Sequence, residues 1–223
     1  MSPETAKSRE TRTKLLEGAL RTLTEQGIAR TSARTVAASA GVNQALVFYH
    51  FGSVDELLAA ACRYGAEKSV AAHRARLAEV TSLSELLAVG REIHERERAD
   101  GHVALLGQLL AGAPTHAAVG PATAAGLDLW IAEIETVLRR VLPRTPLGEF
   151  TNPAGLARAV AASFVGIELY EQVDANGAGA ALDALEQLGA LAAALEELGP
   201  VAQRAVRRHL RRVSGGEGAR GSG

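Results

Sequence analysis

Apolar residues recur along most of this chain at spacings of three and four, not two, a pattern that predicts helices. In the first segment Leu15, Leu16, Ala19, Leu20 and Leu23 make one apolar stripe, which predicts a helix over residues 8–26 stopped at Gly27. The run TSARTVAASAGVNQALVFYHF then predicts two short helices. Thr31 or Ser32 caps the first, Val36, Ala37 and Ala40 face inward, Gly41 permits a tight turn and Asn43 opens the second. Two short helices around a glycine turn make a helix-turn-helix. Its second helix carries too many polar and aromatic residues, Asn43, Gln44, Tyr49 and His50, for all to be core.

Farther on, Ser53 and Glu56 have capping-box spacing and predict a long helix to about residue 80. Ser82 and Glu85 repeat the signal and open a helix to about 98, followed by the short apolar run HVALLGQLLAG. Pro114 and Pro121 bracket a link, after which a helix is expected over 121–142 and ends at Pro143. Asn152 and Pro153 restart the chain as N-cap and first helical residue, for a helix to about 173. DANGAG reads as a turn, LDALEQLGALAAALEEL as a helix stopped by Gly199 and Pro200, VAQRAVRRHLRRV as a basic helix, and SGGEGARGSG as a disordered tail. Strand formers are sparse, so the expected fold class is all-α: a three-helix helix-turn-helix domain over 1–52, a larger helical body over 53–213 whose residues 53–80 form a linking helix, and a tail over 214–223.

Composition narrows the classes. With 47% hydrophobic residues in 223, the chain has ample apolar content for a core and is not disordered as a whole. Cys62 is the single cysteine, so neither an intramolecular disulfide nor a thiolate zinc cage is available, which suits a reducing interior. The N-terminal MSPETAKSRETRTK has no apolar core of a secretory signal, and the uncharged stretch 101–127 is broken by His, Pro, Gly and Thr. The expectation is a cytoplasmic protein that contacts no membrane. A 21-to-three excess of Arg over Lys, with abundant Ala and Gly, hints at a GC-rich bacterial genome.

The formal net charge of -1 hides an asymmetry. Residues 1–52 hold seven basic against four acidic side chains, residues 53–200 hold 11 against 20, and residues 201–223 hold six against one. A basic head on an acidic body suggests that the head meets a polyanion.

Residues 27–58 resemble the DNA-binding module of the tetracycline-repressor (TetR) family of bacterial regulators. The residues that carry the likeness are Thr31, Ser32, Val36-Ala37, Ala40-Gly41-Val42, His50-Phe51 and Ser53 to Leu57. The chain departs from the family's usual pattern at Asn43 (Ser or Thr), Ala45 (Gly or Pro), Phe48 (Tyr) and Val54 (Lys). Phe48 and Val54 each remove a common phosphate contact. The resemblance implies a ligand-responsive transcriptional regulator, most commonly a repressor, that binds a palindromic double-stranded DNA operator as a homodimer. The residues agree: Asn43 and Gln44 have the chemistry to pair with adenine and Arg34 with guanine, while Thr31, Ser32, Tyr49 and His50 carry donors suited to phosphates. With Ala45 these make the expected DNA-binding set, and Arg9, Arg12 and Lys14 add an N-terminal clamp. Taken singly, Arg34 also suits a solvated helix, Tyr49 a core edge and His50 a cap; the order of the run favours DNA.

The resemblance further implies that the body, residues 53–213, binds an effector and dimerises through its last two large helices. Leu156, Val160 and Ile167 on one, with Leu188, Leu191 and Leu195 on the other, are the expected interface; the same stripes also suit an intrachain core. Polar or aromatic residues inside apolar runs, His102, Gln108, Trp130, Glu133, Phe164 and Glu168, are the effector-binding candidates, and the apolar surroundings favour a small hydrophobic or amphipathic molecule. No cofactor or metal is expected. GxSxG, HExxH and phosphate loops of the GxxxxGK type are missing, which argues against an enzyme, and HERERADGH, holding His94 and His102, fits an exposed charged helix better than a metal site. The alternative to a regulator is a helical protein-interaction module that has lost DNA binding, motivated by Phe48 and Val54.

Overall fold

The computed structural model describes residues 6–114 and 116–215. Every regular element among them is helical: α1 (Ala6–Gln26), α2 (Ala33–Ala40), α3 (Ala45–Phe51), α4 (Val54–Glu79), α5 (Leu83–Ala99), α6 (His102–Gly112), α7 (Val119–Val141), α8 (Pro153–Glu171), α9 (Ala175–Glu196) and α10 (Pro200–Gly215), with single 3-10 turns at Ile28–Arg30 and Leu142–Arg144. Of the expected tail, residues 216–223 lie outside the described residues. Two compact units partition the chain, one of Met1–Ala72 with Glu95–Leu129, the other of His73–His94 with Trp130–Gly223.

In the first unit the amphipathic stripe of α1 does what its spacing predicts. Leu15, Leu16 and Ala19 close on Ala33, Val36 and Ala37 of α2, Val47 of α3, and Leu57 and Ala61 of α4. A second cluster joins Leu23 of α1 and Leu58, Ala59 and Cys62 of α4 to Leu105 and Leu109 of α6 and Val119 and Ala122 of α7. Burial of Cys62 pushes its thiol up to about 11.

Within the second unit the cluster forms from Leu77 and Val80, Leu86 and Val89, Val137, Leu138 and Val141, Leu142, and Ala157. The end of α4 needs partners for its last carbonyls, and the Arg140 guanidinium supplies them, donating to the Leu77 and Val80 oxygens at 2.9 Å each. Beside it Ile167 of α8 packs with Ala178 and Leu182 of α9.

Two local expectations change. DANGAG is no turn: Asp174 accepts from the Gly177 amide at 2.9 Å as the N-cap of α9, so the helix starts at Ala175. A short polar side chain followed by small residues served as helix start where glycines suggested a bend. At α5, Ser82 accepts from the Glu85 amide at 3.1 Å, but the Glu85 carboxylate reaches one residue farther back, to the Thr81 amide at 2.8 Å. The residues Ala175–Leu195 are long and apolar enough to cross a bilayer by length and composition. Yet Asp183 and Glu186 in that helix both pair with Arg91 of α5.

Candidate nucleic-acid interface

The N-terminal unit presents α2 and α3 through a set of caps. Ser32 begins α2: its hydroxyl oxygen accepts from the Thr35 amide at 3.2 Å, and its own amide donates to the Thr35 hydroxyl at 2.8 Å. Thr31 spends its proton on the Gly27 carbonyl at 2.9 Å. Both residues expected at phosphates therefore also fix the entry of α2. The turn needs a left-handed residue, and Gly41 takes φ +66°, its amide closing on the Ala37 and Ala38 carbonyls.

Asn43 starts α3 by accepting from the Ala45 amide at 2.8 Å through Oδ1. That oxygen already holds the backbone at the start of α3, and both Asn43 and Gln44, the residues expected at adenine, are exposed. Along α3 the residues sort by face. Val47 is fully buried, Leu46 and Phe51 pack on the same cluster, and Gln44, Ala45, Phe48 and Tyr49 face outward, Phe48 at 49% and Tyr49 at 79% exposure. His50 is half-buried with its ring edge-on to Tyr49 at 4.9 Å. Arg34 stands exposed on α2.

Of the expected N-terminal clamp, Arg12 lies over the Phe51 ring at 5.1 Å and Arg9 is exposed, whereas Lys14 forms an ion pair with Glu10 at 2.7 Å. Lys14 in turn holds the Glu10 carboxyl below its usual range. Val54, where the resemblance leads one to expect a lysine, is half-buried against both apolar clusters of the unit, so that position anchors α4.

Residues 15–61 match the family model of bacterial regulatory proteins, tetR family. The chain carries the helix-turn-helix domain of the tetR family. Solved structures extend the likeness to the TetR-regulator fold over most of the length. A protein described as a TetR-family transcriptional regulator from Rhodococcus sp. is 21% identical, with a TM-score of 0.68, covering 82% of this chain and 98% of its own. The multidrug binding protein EbrR, complexed with imidazole, is 28% identical with a TM-score of 0.57, over 79% of this chain and 93% of its own. A transcriptional regulator from Saccharomonospora viridis, in complex with choline, is 19% identical with a TM-score of 0.61, over 80% and 93%. No curated protein matches the sequence.

In this TetR-type fold the effector candidates fall in both units. In the first, His102 is exposed and hydrogen-bonds Glu97 at 2.8 Å, an interaction that raises its pKa above the ordinary value, and Gln108 packs beside Gly27. In the second, Trp130 is half-buried against the apolar cluster with His73 at 5.9 Å between ring centroids, and Glu133 pairs with Arg74 at 2.7 Å. Phe164 lies against Gly90, where a Cβ would meet its ring at 2.5 Å. Glu168 stands 3.9 Å from the buried His94, which also lies 3.2 Å from Glu171; the two half-buried carboxylates beside His94 make a polar cluster that the apolar spacing of their helices did not reveal. Among the described residues no group of three or more His, Cys, Asp or Glu side chains is placed to hold a metal ion.

The expected interface leucines divide. Leu188 and Leu191 on α9 are exposed at 60% and 64%, whereas Ile167 is buried, and Leu156, Val160 and Leu195 are half-buried. Leu169, Tyr170 and Val173, at the end of α8 and just beyond it, add exposed apolar surface that the stripe spacing had not selected.

Proposed function

We propose that the protein is a ligand-responsive transcriptional regulator that binds a palindromic DNA operator as a homodimer and, in the commonest mode of the family, represses. It acts in the cytoplasm, without cofactor, enzymatic step or membrane contact. The observation that carries this reading is the sorting of the helix-turn-helix: Val36, Ala37 and Val47 are core, while Arg34, Gln44, Ala45 and Tyr49 face outward. A recognition helix sets its first side chains at base edges in the major groove, so Gln44 suits adenine and Arg34 guanine, with Thr31, Ser32, Tyr49 and His50 at phosphates. Asn43 positions the helix through its cap.

One short helix reads few bases, and a twofold pair reads a palindrome. The exposed Leu188 and Leu191, with Leu169, Tyr170 and Val173, supply apolar surface for that pairing. Two of the similar structures hold small organic molecules, imidazole and choline, which supports an effector in the body. The mix of apolar and polar side chains at Trp130, Phe164 and Glu168 suits a small hydrophobic or amphipathic effector. Such a molecule changes operator affinity only by its differential affinity for two arrangements of the protein.

Selection of bound fragments from sheared genomic DNA tests the reading, with Arg34→Ala and Gln44→Ala as controls. A palindromic motif that both variants lose supports it, and log affinity should then fall against log salt with a slope of about -0.9 per phosphate contacted. No enrichment even at low salt would defeat it in favour of an interaction module.

A further inference from the structure

We propose that α3 recognises A·T base pairs by the thymine methyl group, with Ala45 and Phe48 as the apolar readers and Gln44 as the partner of an adjacent adenine. The inference rests on the DNA-binding reading above and specifies what that interface selects.

Asn43 at the entry of α3 is exposed, and from there the outward strip runs through Gln44, Ala45, Phe48 and Tyr49. Ala45 and Phe48 are three apart and so are neighbours on one helix face, flanked by Gln44 four positions before Phe48 and by Tyr49 four after Ala45. The strip is thus an apolar pair between two polar ends. An aromatic ring half exposed on an otherwise polar surface gains from a matching apolar group on its partner, and in the major groove the one such group is the C5 methyl of thymine, which alanine and phenylalanine contact. Phe48 has no hydroxyl for a phosphate, so its exposure is not explained by the backbone of the duplex.

The polar neighbours point to the same base pair. Gln44 is exposed, and its carboxamide pairs with adenine N6 and N7. Asn43 spends a lone pair of its oxygen on the Ala45 amide, which holds Ala45 at the first position of the helix, whereas the Gln44 carboxamide makes no such backbone cap. The outward strip of α3 holds no Arg or Lys, the side chains that pair with guanine O6 and N7; on the neighbouring α2 that chemistry resides in Arg34. The surface of α3 itself therefore favours adenine and thymine.

The test uses the full-length protein and the operator recovered by selection, with each thymine replaced in turn by deoxyuridine, which removes the methyl group and nothing else. One or two positions in each half-site should weaken binding by about fourfold each, the transfer of one methyl-sized group from water. Phe48→Ala should abolish the penalty at one of those positions while leaving the others, and Phe48→Leu, which keeps an apolar side chain, should retain it. Circular dichroism checks the fold of the variants; should Phe48→Ala not fold, the wild-type scan and the leucine variant decide. A wild-type scan in which no thymine matters, or a Phe48→Ala protein that keeps every uridine penalty, would overturn the proposal. Duplex binding without methyl dependence defeats this inference alone, whereas absence of duplex binding at any salt defeats the DNA reading beneath it.

Discussion

Gly18 of α1 lies so close to Ala40 of α2 that a Cβ on Gly18 would stand 2.9 Å from the Ala40 methyl and 3.1 Å from both the Ala40 nitrogen and the Val36 oxygen. The missing side chain sets how near the two helices approach, and the obstacle is largely backbone. Glycine inside a helix ordinarily costs about 1 kcal/mol relative to alanine, so Gly18→Ala would stabilise an exposed helix. Here it is expected to destabilise, and Gly18→Val more so, by about 1–3 kcal/mol, the usual cost of overpacking. Urea denaturation of the two variants against wild type measures this; an alanine variant more stable than wild type would contradict the packing.

The reciprocal cap at the start of α2 makes a second expectation. Ser32→Ala removes the acceptor of the Thr35 amide and should cost about 1 kcal/mol, read from the midpoint of denaturation. Thr35→Val removes the other half of the box, and because the two share one network their effects should not add.

Exposed leucines at Leu188 and Leu191 lead to a third. Leu188→Glu with Leu191→Glu should shift the protein from dimer to monomer in sedimentation equilibrium while leaving its helical circular dichroism unchanged. Operator affinity should fall steeply in the same variant. If the double variant stays dimeric, the pairing surface lies elsewhere.

Cys62 is 6% exposed and its thiol is pushed up to about 11 by burial. The thiolate is the reactive species, so at pH 8 the native protein should react with a disulfide reagent orders of magnitude more slowly than after unfolding in guanidinium. Rapid labelling of the native protein would mean that the cluster around α1, α4 and α6 opens readily.

His102 gives a pH dependence with a definite sign. Its hydrogen bond to Glu97 is the main cause of a pKa raised above 6.5. A raised folded-state value means that the stabilisation is complete below the unfolded value, near 6.5, and is lost as pH rises through the folded value. His102→Gln should therefore flatten the pH dependence of stability from about 6.5 upward, and nuclear magnetic resonance titration of the imidazole should show the raised value in wild type.

The helices and the head were readable because each depended on neighbours in sequence. Leu15, Leu16, Ala19 and Leu23 announce α1 by spacing, and Ser32, Gly41 and Asn43 mark the joints of α2 and α3 by the chemistry of caps and turns. What could not be read depends on residues distant in the chain. No local pattern distinguishes Ile167, buried against Ala178 and Leu182, from Leu188, left exposed, since both sit on regular apolar stripes. His94 likewise looks like part of a charged surface helix until Glu168 and Glu171, more than 70 residues later, are brought beside it. Asn43 shows a third kind of gap: its residue type fits both a cap and a base contact, and only the 2.8 Å bond to Ala45 reveals the cap.

The outward strip of α3 shares no member with the cluster that holds the unit together. On the proposed reading, recognition and folding are therefore written on different letters of α3 and its entry. Mutational drift at positions 44, 45, 48 and 49 would then retarget the protein to new promoters at little cost in stability, and a designer who wished to redirect it would start from those four sites. Paralogues arising by duplication could diverge in their regulons through this strip alone.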